Sequence, residues 1–346
     1  MAYRIVILGA SYGSLLGTKL LMAGHDVTLV CRAATAALIN AEGTEVRLRL
    51  RDETEHRSIF SKELAGKLDA KTPDDVNPSD YDLVALAMQE PQYGTDDIAR
   101  LMQRIADARV PCMSIMNMPP LPYLRRLKDL DAKALEVCFA DPGVWAAFEP
   151  DLVTLCSPDP QAYRPPEDGP NVLHVNLPTN FKAAVFDDPK HNDMLRKLEA
   201  DIAAVTIDGK DVPVKLRVFD SLFVPFAKWS MLLTGNYRCV TKNGTRSIYD
   251  AVHGDIGQSN AVYRFVDDLV QKMGADSEDK VPFEKYANAA KSLSKPSSAA
   301  RAITGGAKSI ERVDRLVQLV GRQYGMNHES VDETVTNVDA ALARNQ

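Results

Sequence analysis

Apolar runs and helical patterns alternate along the first half of the chain. Four short apolar runs are typical of buried strands: residues 4–8, 27–30, 81–88 and 110–116. Helical patterns separate them, first at residues 15–23 and later at residues 96–108. Strand, helix and strand in this repeated order predict a parallel, doubly wound α/β sheet.

The pattern changes beyond residue 135. Short strands around a proline-rich loop, residues 158–170, predict a less regular completion of the sheet. Beyond about residue 212 we predict five helices, over residues 219–234, 259–273, 283–293, 309–324 and 332–344. The chain is therefore predicted to have an α/β domain over residues 1–208 and an all-α domain over residues 209–346.

The turn after the first strand is built mainly from small residues. It contains Gly9, Ala10, Ser11, Tyr12, Gly13 and Ser14. A Gly-x-Gly-x-x-Gly turn has glycine at the first, third and sixth positions, and here serine occupies the third and the sixth. A helix that begins here offers free N–H groups and a positive dipole end to a pyrophosphate. Another α/β domain with a tight strand-to-helix turn has the same local pattern. The flanking strands favour a dinucleotide-binding site.

Arg32 follows the second predicted strand, 23 residues after Gly9. An NAD site usually has an acidic residue near this point, which accepts a hydrogen bond from the ribose 2′-hydroxyl. An arginine suits a 2′-phosphate instead. We therefore expect NADP as the cofactor, with a plain surface arginine as the alternative.

Composition narrows the function classes. Hydrophobic residues make up 45% and charged residues 25% of the 346-residue chain, as in ordinary globular proteins. The net charge of −6 leaves no basic excess for nucleic acid. No apolar run is long enough to span a membrane, and the N-terminal strand is unlike a signal peptide. Five scattered cysteines and six dispersed histidines show no metal-ligand spacing, so we expect reduced thiols, no metal and a cytoplasmic protein.

Four stretches of the sequence resemble the ketopantoate reductase (2-dehydropantoate 2-reductase) family. They are the opening βαβ unit, the strand Ser114–Asn117, the segment Phe226–Trp229, and the pair Lys295–Ser298 and Ser309–Asp314. The resemblance implies a Rossmann-type N-terminal domain and a C-terminal domain like that of 6-phosphogluconate dehydrogenase. It also implies pantothenate biosynthesis, with reduction of a small 2-oxo acid by NADPH and a possible homodimer.

The resemblance also implies roles for four side chains. Lys228 would be the general acid, Asn117 would lie near the nicotinamide and substrate, Glu311 would accept a hydrogen bond from the substrate, and Ser298 would help hold its carboxylate. Each has a structural alternative. Lys228 could reach solvent from a helix edge, and Asn117 could cap a turn. Glu311 could belong to an exposed first turn, and Ser298 could be a helix N-cap.

Three departures from the family pattern leave other functions open. Residues 88–91 lack the lysine common after the fourth strand, Leu232 replaces an asparagine, and Met118 replaces a glycine. The substrate could therefore be bulkier or less polar than ketopantoate. An opine-type or other hydroxy-acid dehydrogenase remains an alternative, as does a non-catalytic NADP-binding sensor.

Overall fold

The computed structural model describes residues 2–346, and the chain divides into two compact units. The sheet unit comprises residues up to Met88, Gln92–Tyr123 and Gly143–Asp220. The helical unit comprises Gln89–Pro91, Leu124–Pro142 and Ser221–Gln346. The predicted boundary at residues 208/209 stays a prediction, although a strand that joins the main sheet continues as far as Phe219.

Within the described residues the strands are β1 Arg4–Leu8, β2 Asp26–Val30, β3 Glu45–Leu48, β4 Arg57–Phe60, β5 Leu68–Lys71, β6 Leu83–Leu86, β7 Cys112–Ile115, β8 Val153–Ser157, β9 Gln161–Tyr163, β10 Val172–Leu177, β11 Phe181–Ala184, β12 Thr206–Ile207, β13 Lys210–Asp211, β14 Leu216–Phe219, β15 Val240–Thr241 and β16 Gly244–Thr245.

The α-helices are α1 Tyr12–Met22, α2 Ala33–Glu42, α3 Asp96–Asp107, α4 Leu121–Leu124, α5 Pro189–Ala203, α6 Ala227–Met231, α7 Ile248–His253, α8 Ile256–Met273, α9 Phe283–Ala290, α10 Ser298–Thr304, α11 Val313–Gln323 and α12 Glu329–Ala343.

The main sheet has the strand order β14-β11-β8-β7-β6-β1-β2-β5. Its pairs are parallel except that β11 runs antiparallel to β8. The six strands β5-β2-β1-β6-β7-β8 have the order 3-2-1-4-5-6 of a dinucleotide-binding sheet, in which ligands bind at the carboxyl ends near the first strand. The predicted fold class, a Rossmann-type sheet with an all-α C-terminal region, is confirmed.

A second sheet, of order β4-β3-β10-β9, lies in the same unit. Charged and apolar residues alternate over residues 45–50, and Glu45–Leu48 form β3, which pairs in parallel with β10 rather than with the main sheet. Local alternation specifies a strand with one wet face but not the sheet it joins.

Two predicted helices are wrong in extent. Phe219 ends β14, and the segment to Thr234 is a 3₁₀ turn at Val224–Phe226, the short α6, and a π-helical segment at Leu232–Asn236. Pro225 lies early in that turn, where its missing N–H costs no helical hydrogen bond. The helix predicted from residue 309 begins only at Val313.

Candidate functional site

Gly9 and Gly13 allow the turn between β1 and α1 to pass close to its neighbours. Gly9 has φ +105°, and a Cβ there would lie 2.6 Å from the carbonyl oxygen of Ala87. A Cβ on Gly13 would lie 2.5 Å from Cγ2 of Ile7. Such distances are too short for any side chain, so these positions require glycine. The turn is therefore built tightly against the carboxyl ends of β1 and β6.

The backbone of this turn, more than its side chains, is available to a ligand. The N–H groups of Gly13 and Ser14 donate to the carbonyls of Gly9 and Ser11 at 3.2 Å. Among the described residues, the N–H groups of Ala10 and Ser11 have no hydrogen-bond acceptor. Ala10 is buried, and leaving an N–H unpaired there is costly unless a ligand or water accepts from it.

Tyr12 and Ser14, both predicted to bind cofactor, use their hydroxyls within the protein. The Tyr12 hydroxyl donates to the Pro160 carbonyl and lies 3.1 Å from the Pro158 carbonyl oxygen, and burial raises the pKa of this phenol well above its usual value. The Ser14 hydroxyl donates to the Ala10 carbonyl. These side chains therefore stabilise the shape of the turn.

Arg32 directly precedes α2 and is exposed, beside the carboxyl end of β2. A second arginine, Arg164, lies close enough to Arg32 and Cys31 for their charges to interact. Sequence reasoning missed Arg164 because it follows a strand of the second sheet, β9, 132 positions away along the chain.

Asn117 follows β7 and is partly buried. β1, β6 and β7 are parallel neighbours, so Leu8, Leu86 and Ile115 end at the same edge of the sheet. The structure therefore brings Asn117 and the Gly9 turn to one sheet edge, as the predicted roles of both require.

In the helical unit, Lys228 lies on α6 and is partly buried. Its neighbour Trp229 is buried, with its ring centroid 4.5 Å from that of Phe226. Ser230 donates to the Asp267 carboxylate. Partial burial of Lys228 is compatible both with the predicted general acid and with a lysine that reaches solvent.

Glu311 is only 9% exposed and precedes α11, so it does not belong to an exposed first helical turn. The segment around it is anchored by Tyr237, which donates to the Glu311 carbonyl and accepts from the Val313 N–H at 3.2 Å. The next residue, Arg312, pairs with the buried Asp314 at 2.9 Å. These contacts hold the chain around Glu311 in one conformation.

Glu90 provides a second buried carboxyl near Glu311. Its backbone N–H donates to Oε1 of Glu311 at 3.4 Å, and its own carboxylate accepts from the Ala140 N–H at 3.1 Å. Burial, with the nearby charges of Glu311 and Asp141, raises the pKa of Glu90 to about 7. No local pattern of the sequence indicates this pair, because the two residues are 221 positions apart.

Ser298 is exposed at the first position of α10. Ser298 is not the N-cap of this helix, which was its alternative role; the N-cap is the neighbouring Ser297. The Ser297 hydroxyl accepts a hydrogen bond from the Ala300 N–H and donates one to the Asn236 carbonyl at 2.6 Å. The segment that follows Lys228 therefore contacts the start of α10 through Asn236 and the Glu311 segment through Tyr237.

Comparison with known families confirms the predicted resemblance. A sequence model described as ketopantoate reductase PanE/ApbA matches residues 5–118, which hold the Gly9 turn, Arg32 and Asn117. The matched family consists of oxidoreductases that act on CH–OH groups, the enzyme class predicted for this chain. No curated protein matches the sequence.

Solved structures share the fold over nearly the whole chain. The 2-dehydropantoate 2-reductase from Methylococcus capsulatus is 14% identical, with a TM-score of 0.66 over 99% of this chain and 97% of that one. A D-mandelate dehydrogenase bound to NADH and anilino(oxo)acetate is 14% identical, with a TM-score of 0.63 over 99% of each chain. The dimeric ketopantoate reductase from Staphylococcus aureus is 10% identical, with a TM-score of 0.63 over 99% of this chain and 100% of that one.

Among the described residues, no helix combines the length and apolar character needed to cross a bilayer.

Proposed function

We propose that this chain, whose sheet unit matches the ketopantoate reductase family, reduces a 2-oxo acid with NADPH in the cytoplasm. The observation that carries the proposal is the tight glycine turn, with the unpaired amides of Ala10 and Ser11 at the carboxyl edge of a 3-2-1-4-5-6 sheet. Arg32, with no acidic residue beside it in the sequence, supports NADP over NAD. The bound cofactor would supply the hydride.

The chain's own residues supply binding and proton transfer. Lys228 donates a proton to the carbonyl oxygen that becomes the hydroxyl, and its positive charge stabilises the developing alkoxide. Asn117 orients the reacting groups through its side-chain amide. Ser298 holds the substrate carboxylate, and Glu311 accepts a hydrogen bond from a polar substrate tail.

The substrate is proposed to be bulkier or less polar than ketopantoate. Leu232, where the family often has asparagine, is 5% exposed in the described structure, so it offers no polar contact. The D-mandelate dehydrogenase with the same fold is described with anilino(oxo)acetate, a 2-oxo acid with an aromatic substituent. A hydroxy-acid dehydrogenase specific for such acids is the second candidate.

The test is a screen of NADPH and NADH oxidation, followed by absorbance, with ketopantoate and 2-oxo acids of increasing size. We expect turnover with NADPH and at least one 2-oxo acid, with a larger acid preferred over ketopantoate. Binding of NADPH without oxidation across the whole panel would contradict catalysis and support a sensor. Light scattering of the same sample tests a proposed homodimer, the state named for the Staphylococcus aureus protein.

A further inference from the structure

Arg164 is partly buried and forms no ion pair or hydrogen bond with any of the described residues. Burial lowers the pKa of its guanidinium, and the neighbouring positive charge of Arg32 lowers it further. An arginine nevertheless stays charged at neutral pH. Two unpaired cations held close together destabilise each other unless an anion lies between them.

The loop and strand before Arg164 are anchored at the nucleotide turn. The hydroxyl of Tyr12, on the first turn of α1, bonds the Pro158 and Pro160 carbonyls immediately before β9. Ala162, within β9, and Cys31, at the end of β2, pack against the same hydrophobic core. These contacts hold the loop before β9 at the nucleotide turn, and the electrostatic interaction of Arg164 with Arg32 and Cys31 places Arg164 near the carboxyl end of β2, where Arg32 precedes α2.

Other charges near this point are already engaged. Lys71, at the end of the adjacent β5, lies 3.3 Å from the Tyr81 hydroxyl and 3.9 Å from Asp69. The nearby Asp159 is bound by Ser157 and by Lys182, at 3.0 Å. Arg32 and Arg164 therefore form the pair of cations left to meet an incoming anion.

We propose that Arg164 and Arg32 together bind the 2′-phosphate of NADP, so that cofactor choice depends on a residue of the second sheet as well as on the end of β2. Two guanidinium groups match the charge of a phosphate dianion and can donate to its oxygens from two sides. The inference rests on the proposed use of NADP. It adds a specificity-determining residue that the βαβ pattern does not contain.

The experiment compares binding of 2′,5′-ADP and 5′-AMP by titration calorimetry. The proteins are the wild type, Arg164→Ala, Arg164→Lys, Arg32→Ala and the double alanine variant. Arg51→Ala is the matched control, since it removes one exposed arginine charge from the same unit. Circular dichroism and thermal melting verify that each variant folds.

We expect Arg164→Ala and Arg32→Ala each to weaken 2′,5′-ADP binding by about ten- to a hundredfold, with little change for 5′-AMP. Arg164→Lys should recover part of the loss, and Arg51→Ala should bind like the wild type. In the wild type, 2′,5′-ADP should also slow alkylation of the Cys31 thiol, which lies within electrostatic range of both guanidinium groups.

Arg164→Ala could bind both nucleotides as the wild type does, or lose affinity for both equally. If the wild type and Arg32→Ala behave as expected, either result would overturn the role of Arg164 and leave that of Arg32 intact. Equal wild-type affinity for the two nucleotides would overturn the NADP preference and the arginine pair together. In that case, oxidation of NADH in the presence of a 2-oxo acid would show that the protein is still a reductase, and that only the proposed cofactor is wrong.

Discussion

At the scale of single residues, Lys228 combines a positive charge with partial burial, in a segment that also carries the buried Phe226 and Trp229. Partial burial of Lys228 reduces the water that would otherwise screen its positive charge. This is the condition under which one cation stabilises a developing alkoxide most strongly.

Lys228→Ala is expected to lower kcat by about 10²- to 10⁴-fold while NADPH affinity survives, because it removes a proton donor and not a cofactor contact. The measurement is steady-state NADPH oxidation together with NADPH titration by fluorescence. Lys291→Ala, an exposed lysine of the same unit, is the control and should keep full activity. Near-normal turnover in Lys228→Ala would contradict its role as general acid.

Glu90 makes stability depend on pH in a direction opposite to that of a paired surface carboxylate. Its pKa, raised from the usual 4.5 to about 7, means that the folded state holds this proton more tightly than the unfolded state. The unfolding free energy therefore falls as pH rises from about 4.5 to about 7. The pKa difference of 7 − 4.5 corresponds to about 3 kcal/mol as an upper bound.

Glu90→Gln should therefore raise the unfolding free energy at pH 8 and flatten its decline between pH 5 and pH 8. The amide oxygen can still accept from the Ala140 N–H. Urea unfolding at several pH values measures the effect, with the exposed Glu63→Gln as control. A decline in Glu90→Gln as steep as in the wild type would show that another group titrates.

At the scale of elements, the β1–α1 turn depends on the close approach of two backbones. The nearest atom to an added Cβ at Gly9 is a carbonyl oxygen of the backbone, which cannot rotate away as a side chain can. At Gly24, which also has positive φ, no heavy atom lies within 4 Å of an added Cβ. Substitution of Gly24 therefore tests backbone strain alone, whereas substitution of Gly9 tests backbone strain together with steric overlap.

Gly9→Ala should lower the unfolding free energy by about 1–3 kcal/mol beyond the strain of a positive φ, and should abolish nucleotide binding. Gly24→Ala should cost only that strain, about 1 kcal/mol, and should bind normally. Urea unfolding and NADPH titration test both variants. Normal NADPH binding by Gly9→Ala would refute the turn as the pyrophosphate site.

In the helical unit, one irregular helical segment is stabilised by hydrogen bonds to residues that are distant along the chain. The 3₁₀ turn, α6 and the π-helical segment form one irregular stretch from Val224 to Asn236. Asn236 and the next residue, Tyr237, bond to Ser297 and to the Glu311 carbonyl. Tertiary hydrogen bonds of this kind offset the loss of ideal helical bonds.

At the scale of the whole molecule, the five cysteines differ in accessibility. Cys31 is partly buried, and the other four thiols are buried. Burial raises the pKa of Cys31, Cys112, Cys138 and Cys239, which lowers their reactive thiolate fraction.

Native protein should therefore release thionitrobenzoate from Ellman's reagent mainly through one thiol, and protein in guanidinium through five. Cys31→Ser should remove the native phase, whereas Cys239→Ser should leave it. Fast reaction of several thiols in the native protein would contradict the packing of both units.

The amino-acid sequence by itself determined the strands β1, β2, β6 and β7 with the helices α1 and α3 between them, the glycine turn and the fold class. These features depend on local periodicity and on residues within one βαβ unit, so neighbouring positions are enough to specify them. It also determined the resemblance on which the proposed roles of Lys228, Asn117, Ser298 and Glu311 depend.

Only the tertiary structure decided which distant residues meet. Arg164 lies beside Arg32, and Glu90 beside Glu311, although long stretches of chain separate them. It also decided where the Lys228 helix breaks and which sheet β3 joins. Burial, pKa and pairing across sheets depend on the packing of the folded chain, and no local pattern of hydrophobic and polar positions encodes them.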